Sequence, residues 1–367
     1  MTLIETLLDR LDRLWLVLRR ATSRTAHVYK PSTLRAMGAL RAAGVLFGTL
    51  VLIVVLIGVY WSQEPDSFDV QAVAAERAKE SGLTPVTGYV FTSTLMHIGE
   101  VLLGEGRPGG SGYLSNDVMP PGVWLDNIPN WEFGALVMLR DAAGGLRNHL
   151  SRSQSQSRED PDLARAEPQF NFQNDSWILP ATEGEYRKGI EALGRYLVRL
   201  QDSSQQNAQF YARADNLAQY LHIVEKRLGS LSQRLSASVG QIRVNTDLAG
   251  DAAARQATES AGILVVKTPW RELDDVFYEA RGASWALLHI LRAIEVDFED
   301  VLIRKNALIS LRQIIRELEA TQQATMSPVI LNGSGFGLFA NYSLTMANYI
   351  ARADAAVIDL RDLLQRG

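Results

Sequence analysis

The chain of 367 residues contains no cysteine. This absence excludes disulfide bonds, thiolate nucleophiles and metal sites with cysteine ligands. It is compatible with a periplasmic protein that does not depend on oxidative folding, but it does not identify the compartment.

Recognisable catalytic and metal-binding motifs are also missing. The five histidines form no H-x-H or H-E-x-x-H pair, and His97 with Glu100 offers only two ligands on one helical face. No G-x-S-x-G or S-x-x-K sequence indicates a hydrolase nucleophile. The glycines of 333–337 precede a predicted helix without a P-loop lysine, so we interpret them as a turn rather than an anion site. We therefore predict no metal and no cofactor.

Charge is absent between Arg41 and Glu64. Residues 42–61 read AAGVLFGTLVLIVVLIGVYW, and a helix of about 20 residues rises about 30 Å, the thickness of the hydrocarbon core of a bilayer. Tyr60 and Trp61 are residue types that anchor at the membrane interface. The run predicts a single transmembrane helix, with the lipid bilayer as its partner.

The charges that flank this run predict its orientation. Residues 1–41 carry eight basic and three acidic side chains, a net charge of +5; the whole chain carries −4, which leaves −9 on 42–367. A positive flank stays cytoplasmic, so the C-terminal bulk is expected outside. A cleaved signal peptide would have a shorter basic region and small residues in place of Val59-Tyr60-Trp61, so we favour an uncleaved signal anchor. The acidic outer part argues against a nucleic-acid partner.

Apolar residues at three- and four-residue spacing predict a mostly α protein. We expect the single N-terminal transmembrane helix to be followed by an elongated multi-helix bundle with long antiparallel helices. Only 86–91 and 262–267 are candidate strands. The predicted parts are a cytoplasmic basic amphipathic segment (1–41), the transmembrane helix (42–61), a periplasmic helical part containing a Pro/Trp-rich loop at 112–134 (62–150), a polar excursion (151–180) and a periplasmic long-helix bundle (181–367).

Individual helices are predicted from their stripes and caps. We expect helices over 70–81 and 92–103, from Trp131 with Asn130 as N-cap, from Thr182 with Glu185 in a capping box, over 205–239, from Thr268-Pro269 to 321 with a break near 296–298, and from 342. Apolar residues of the first twenty positions predict an amphipathic helix, which lies either on the cytoplasmic leaflet or against its own copy.

Two predicted helices are candidate surfaces for a protein partner. The helix at 205–239 carries a coiled-coil-like seam, and almost all of 270–321 is compatible with a helix. We expect these helices to bind another envelope protein or a second copy of the chain.

The loop 112–134 is the best candidate for a functional site. It combines two tryptophans with carboxylates and amides, the candidate residues being Asn116, Asp117, Trp124, Asp126, Asn127, Trp131 and Glu132. Such groups suit a sugar ring, glycoside hydrolysis or a Ca²⁺ ion; equally, prolines and tryptophans can lock a long loop onto the helices. A second cluster, Trp270, Arg271, Asp274 and Asp275, is interpreted as acidic residues complementing a helix dipole.

Several long strings resemble an uncharacterised proteobacterial family of inner-membrane proteins, known only as a domain of unknown function. They are GYLSNDVMPPGVWLDNIPNWEFG (112–134), YRKGIEALGRYL (186–197), AQFYARADNLAQYL (208–221), VEKRLGSLSQRLSASVG (224–240) and PWRELDDVFYEARGASWAL (269–287). The resemblance implies one N-terminal membrane helix in a Gram-negative inner membrane, and therefore a periplasmic bulk. It implies no activity.

Two functions remain in competition. The long helices and the missing catalytic motifs favour a non-enzymatic, membrane-anchored periplasmic scaffold or adaptor of the cell envelope. The alternative is a cell-wall glycan-binding protein or glycosidase that uses the loop 112–134. Two carboxylates about 5–9.5 Å apart in an open cleft would favour the glycosidase. Carboxylates bound to backbone amides in a packed loop would favour the scaffold.

Overall fold

The structure is a computed structural model that describes residues 29–82, 84–107, 111–152, 158–202, 207–244, 263–325, 327 and 329–366. The amphipathic helix predicted within the first twenty residues lies outside the described residues. Contacts divide the chain into two units, Met1–Val59 and Tyr60–Gly367, and the boundary falls inside the predicted membrane helix.

The described part of the first unit consists of two helices. α1 is Pro31–Ala36, and α2 is Ala39–Trp61, which continues past the boundary. Within the part of the chain that the structure describes, α2 is the helix that is long and apolar enough to cross a membrane, with a mean hydropathy of 2.8 over its most apolar stretch. Only 6% of that stretch is buried within the protein. The sequence prediction of one apolar N-terminal helix is confirmed.

The second unit is built almost entirely from helices, as predicted. They are α3 (Val70–Ser81), α4 (Tyr89–Leu102), α5 (Asn127–Gly145, continued by a π turn at Leu146–Leu150), α6 (Leu163–Phe170), α7 (Thr182–Gln201), α8 (Ala214–Ser236), α9 (Leu273–Asp297), α10 (Glu299–Arg304), α11 (Leu308–Thr321) and α12 (Tyr342–Gln365). The strands β1 (Gln241–Val244) and β2 (Ile263–Val266) form an antiparallel pair with Gln241 opposite Val266.

α9 lies at the centre of the core and packs on α5, α11 and α4. α9 and α5 pack closely because a glycine of each helix faces a backbone carbonyl of the other. A Cβ on Gly134 would lie 1.9 Å from the carbonyl oxygen of Glu279, and one on Gly282 would lie 1.9 Å from that of Trp131. The two backbones therefore meet without intervening side chains.

The apolar stripe of α8 is buried inside the protein. Its members Leu217, Leu221, Val224, Leu228, Leu231 and Leu235 are buried, and α8 packs along α12. The coiled-coil-like seam predicted for 205–239 is thus an internal contact. The helix also begins later than predicted, because 207–213 is non-helical and Tyr211 N donates to Leu150 O. The interface predicted for 205–239 and 270–321 would have to use their outer faces, and it remains a prediction.

The segment that follows α2, the candidate membrane helix, is bound along α9. Arg281 Nε donates to Glu64 Oε2 at 2.6 Å, Trp285 Nε1 donates to Asp66 O at 3.2 Å, and the ring of Phe68 stacks on His289 with centroids 3.9 Å apart. The contacts advance by two residues along the segment and by four along α9. Two extended residues span about 6.6 Å and four helical residues about 6 Å, so the two chains stay in register. We call these three contacts the juxtamembrane clamp.

The clamp also binds α11. The Arg281 side chain, 8% exposed, donates to the carbonyl oxygens of Thr321 and Gln323 at 3.2 and 2.7 Å. These carbonyls lie at the C-terminal end of α11, where the backbone lacks helical donors. One guanidinium group therefore connects the juxtamembrane segment, α9 and α11.

One of the two predicted strands is wrong. Residues 86–91, predicted as a strand, include the start of α4 at Tyr89. Because α4 is buried on nearly all sides, its apolar residues do not indicate one buried face of a sheet. The carboxylate of Asp297, from the end of α9, accepts from Gly88 N at 2.8 Å and Phe91 N at 2.7 Å, thereby capping α4. The strand predicted at 262–267 is confirmed as β2.

Two predicted helix starts, those near 131 and 268, are wrong, and the capping box predicted at Thr182 is absent although that helix starts there. α5 begins at Asn127, with Asp126 rather than Asn130 as the side-chain cap. α7 begins at Thr182, but Thr182 Oγ1 donates to Gln173 O at 2.8 Å instead of forming a capping box. α9 begins at Leu273, after a short 3₁₀ turn over Trp270–Glu272.

Other boundaries agree with the sequence. α3 spans 70–81 and ends at Gly82 in a left-handed conformation, and α9 ends at Asp297, within the predicted break. In the polar segment 151–180, α6 buries Leu163, Ala166 and Phe170 against the core.

Candidate functional site

Glu132 lies in the second turn of α5, so the predicted loop 112–134 is helical from Asn127, and the Glu132 carboxylate holds the loop that precedes α5. Its side chain is fully buried, and its two carboxylate oxygens accept hydrogen bonds from four donor groups. Arg107 Nη1 donates at 2.6 Å, Ser115 Oγ at 2.6 Å, Ser115 N at 2.9 Å and Leu114 N at 3.1 Å. A carboxylate with this set of donors is occupied by its own loop.

The partner of Glu132 is a second buried charge. Arg107 is 2% exposed in its side chain, and its guanidinium lies 5.6 Å from the ring centroid of Trp131. The Trp131 ring is fully buried and lies 5.0 Å from that of Trp285, in α9. Because Trp285 also binds Asp66 O, the loop and the juxtamembrane clamp are connected through two indole rings.

The loop between α6 and α7, residues 171–181, is bound by hydrogen bonds to the loop that precedes α5. The amide of Asn116, itself buried, donates to Ser176 O and to Glu183 Oε2, both at 2.9 Å. Tyr113 Oη donates to Asn174 O at 2.9 Å, and burial raises the pKa of this phenol. The polar groups of Asn116 thus hold the two loops together.

Both loops expose large apolar side chains. We call these side chains the two-loop patch: Val118, Met119, Val123 and Trp124 from the first loop, and Trp177, Ile178 and Leu179 from the second. Trp124, 67% exposed, thus differs from its fully buried neighbour Trp131. Large apolar side chains exposed on neighbouring loops are typical of a binding site.

The remaining candidate residues lie at the edges of the loop. Burial raises the pKa of the Asp117 carboxyl, and the nearby carboxylates of Glu132 and Glu183 raise it further. Asp126 accepts from Asn127 N at 2.9 Å and so caps α5. The side-chain oxygen of Asn127 is buried without a hydrogen-bond partner.

The second acidic cluster adjoins the first loop. Asn130 Nδ2 donates to Asp275 Oδ1 at 2.8 Å and to Asp126 O at 3.0 Å. Burial raises the pKa of Asp275, and repulsion from Asp274 and Asp126 adds to the shift. Trp270 is exposed beside it. Across the described ranges, no group of three or more histidine, aspartate or glutamate side chains is arranged to hold a metal ion.

His289 is a buried group that the sequence did not single out. Its Nε2 accepts from Phe68 N at 3.0 Å, and its Nδ1 lies 2.7 Å from Trp285 O. Since a carbonyl can only accept, Nδ1 carries the proton and the ring is neutral. Burial lowers the pKa of His289 to about 3. Arg281, Trp285 and His289 recur every four residues, and this polar stripe in an apolar helix was the available sequence signal.

Comparison with known proteins identifies a family. No curated protein and no solved structure matches the chain. The family model described as an uncharacterized protein conserved in bacteria (DUF2333) matches residues 34–367, from α1 to the end of the chain. The family prediction from the sequence is therefore confirmed. The chain belongs to this family of uncharacterized bacterial proteins.

Proposed function

We propose that the protein is a membrane-anchored, non-enzymatic scaffold or adaptor of the bacterial cell envelope. In this proposal α2 crosses the inner membrane once, 1–41 is cytoplasmic and the helical unit lies in the periplasm. The net charge of +5 on 1–41 supports this orientation.

The juxtamembrane clamp is the observation that carries the proposal. Only two residues separate Trp61, the last residue of α2, from Glu64, and Glu64 is already bound to the core through Arg281. A tethered enzyme that searches for substrate would benefit from a flexible linker. A short linker fixed at three points instead holds the helical unit close to the membrane, as a platform requires.

The state of the loop carboxylates also supports a scaffold. Glu132 accepts hydrogen bonds from the backbone amides of Leu114 and Ser115, and Asp126 accepts from that of Asn127. Both carboxylates stabilise the loop, and that of Glu132, whose two oxygens are occupied by hydrogen bonds, is not free to act as general acid or base.

We propose the two-loop patch as the main contact with a partner protein. Its exposed side chains are aliphatic and aromatic, and they are held on loops fixed by Asn116 and Glu132. Aromatic residues and methionine are enriched where proteins bind one another. The outer faces of α8 and of the α9–α11 hairpin are the further surfaces for an envelope protein or a second copy.

The exposed ring of Trp124 also favours the alternative, a cell-wall glycan-binding protein or glycosidase. A sugar platform needs an exposed aromatic face with hydrogen-bonding groups beside it. Val118, Met119 and Val123 are apolar neighbours, which suits a protein surface better than a sugar. Asp117 and Asp126 are the polar groups on which this alternative depends.

Photo-crosslinking in native membranes tests the partner. A photoreactive amino acid would replace Trp124 in the two-loop patch and, separately, Glu76 on the exposed face of α3, a helix that belongs to none of the proposed contact surfaces. We expect Trp124 to give a discrete adduct with an envelope protein, and Glu76 to serve as the matched surface control. An absence of protein adducts at both positions, with retention of the full-length chain on purified peptidoglycan, would instead establish the glycan alternative.

Orientation has its own test. A reporter that is active only in the periplasm, fused after Gly367, should be active, and the same reporter placed before Thr2 should not. Activity of the cytoplasmic form of the reporter at Gly367 would reverse the orientation and remove the periplasm from the proposal.

A further inference from the structure

The loop between α11 and α12 exposes its largest apolar side chains to solvent. Phe336 and Leu338 are fully exposed, and Phe339 is about three-quarters exposed, at 74%. We call these three residues the apolar tip. Exposed apolar side chains that cluster in this way mark a contact with another protein or a membrane.

The base of the tip is held by hydrogen bonds within the loop. Asn332 and Asn341 form an antiparallel bridge, and the Asn341 amide donates to Asn332 Oδ1 at 2.6 Å and Gly333 O at 2.7 Å. Gly333 N donates to Ala340 O at 3.0 Å, and Gly337 N donates to Ser334 O at 2.8 Å. Internal hydrogen bonds of this kind let a loop enter an apolar surrounding at a lower desolvation cost.

The sequence around the tip is free of charge. No charged residue occurs between Glu319 and Arg352, a longer uncharged stretch than that of the membrane helix between Arg41 and Glu64. A protein–protein interface has a polar, charged rim around its apolar centre. A loop that carries no charge at all is better suited to the boundary between lipid headgroups and acyl chains.

The base of the tip adjoins the cavity that Arg281 lines. Ala340, the residue after Phe339, lines a cavity of about 270 Å³ together with Arg281 and Gln323. Arg281 binds Glu64, three residues after the end of α2 at Trp61. Three residues span at most about 10 Å, so the chain keeps Glu64, which Arg281 binds, within that distance of the end of α2.

We infer that the apolar tip inserts into the interface of the bilayer leaflet that faces the helical unit. Its occupant is thus lipid, and the tip is a second membrane contact beside α2. This inference rests on the proposed membrane crossing of α2. Together with the juxtamembrane clamp, insertion would fix which end of the helical unit faces the membrane.

Spin labelling tests the inference on the full-length chain in phospholipid vesicles. Because the chain has no cysteine, each single-cysteine variant carries one nitroxide label. The positions are Phe336→Cys and Leu338→Cys in the tip, Leu50→Cys within α2 and Ile309→Cys on α11. All four side chains are exposed, and Ile309 is the control, an apolar side chain that belongs to neither the tip nor the clamp.

The readout is the collision rate of the label with lipid-dissolved oxygen relative to a water-soluble nickel chelate. We expect a several-fold higher ratio at Phe336 and Leu338 than at Ile309, approaching the ratio at Leu50. A ratio at Phe336 and Leu338 equal to that at Ile309, with Leu50 in lipid, overturns this inference alone. Labels shielded from both reagents would indicate a protein occupant and also overturn it. A water-exposed label at Leu50 would overturn the membrane crossing together with the inference.

Discussion

The substitution Glu132→Gln tests whether the carboxylate at the centre of the candidate loop is structural. It removes the charge that pairs with Arg107, whose side chain is 2% exposed, and leaves the guanidinium buried without a counter-charge. Breaking one partner of a buried ion pair costs about 3–5 kcal/mol. We expect a loss of this size in the free energy of unfolding, because the amides of Leu114 and Ser115 also lose a charged acceptor.

The assay is denaturant unfolding of the purified full-length chain in detergent, followed by tryptophan fluorescence. Glu319→Gln is the matched control, because Glu319 pairs with Arg292 on the surface, where the two side chains are 46% and 30% exposed. An exposed pair contributes less than about 1 kcal/mol. Adding Arg107→Met to Glu132→Gln should recover part of the loss by removing the unpaired charge. If Glu132→Gln unfolds like the parent, the carboxylate does not hold the loop, and a chemical role for it would need to be considered.

Further predictions concern stability in the same assay. Trp131→Ala should cost about 3–5 kcal/mol because its ring is fully buried, whereas Trp124→Ala should change stability by less than about 0.5 kcal/mol; equal effects would contradict the burial. Gly282→Ala should destabilise by about 1–3 kcal/mol through the clash with the α5 backbone, whereas Gly144→Ala, with open space at Cβ, should stabilise by about 0.5–1 kcal/mol. The pKa of His289 lies below its ordinary value, so the unfolded chain binds this proton as pH falls below about 6.5 while the folded chain does not. The parent should therefore lose about 2 kcal/mol between pH 7 and 5 relative to His289→Gln, and a constant difference would refute a neutral, buried ring.

The helices could be predicted from the sequence because a helix buried on one face has apolar residues at three- and four-residue spacing. The apolar stripes of α3, α8 and α12 are visible in this way. The helices against which these stripes pack cannot be predicted in the same way, since the stripe of α8 would suit a second copy of the chain as well as α12. The strand expected at 86–91 failed for a related reason, because a helix buried on all sides loses its polar face.

The candidate site was only partly predictable. The loop's residue types could be read from the sequence, but hydrogen bonding over long sequence separations decides their roles. Glu132 accepts from residues 17 and 18 positions earlier and from Arg107, whereas the neighbouring Trp124 has no such constraint and is exposed. The juxtamembrane clamp joins residues more than 200 positions apart, and spacing alone does not reveal such a pair.

The register of the juxtamembrane clamp has a mechanical consequence. Glu64, Asp66 and Phe68 contact α9 at Arg281, Trp285 and His289, so the segment runs parallel to the helix axis. A pull on Trp61 along that axis loads all three contacts in shear, and they must yield together. A pull perpendicular to the axis would instead peel them one at a time, beginning with the ion pair. Tension in α2 is therefore transmitted to the central helix of the core as a sliding force, which the α9 side chains share.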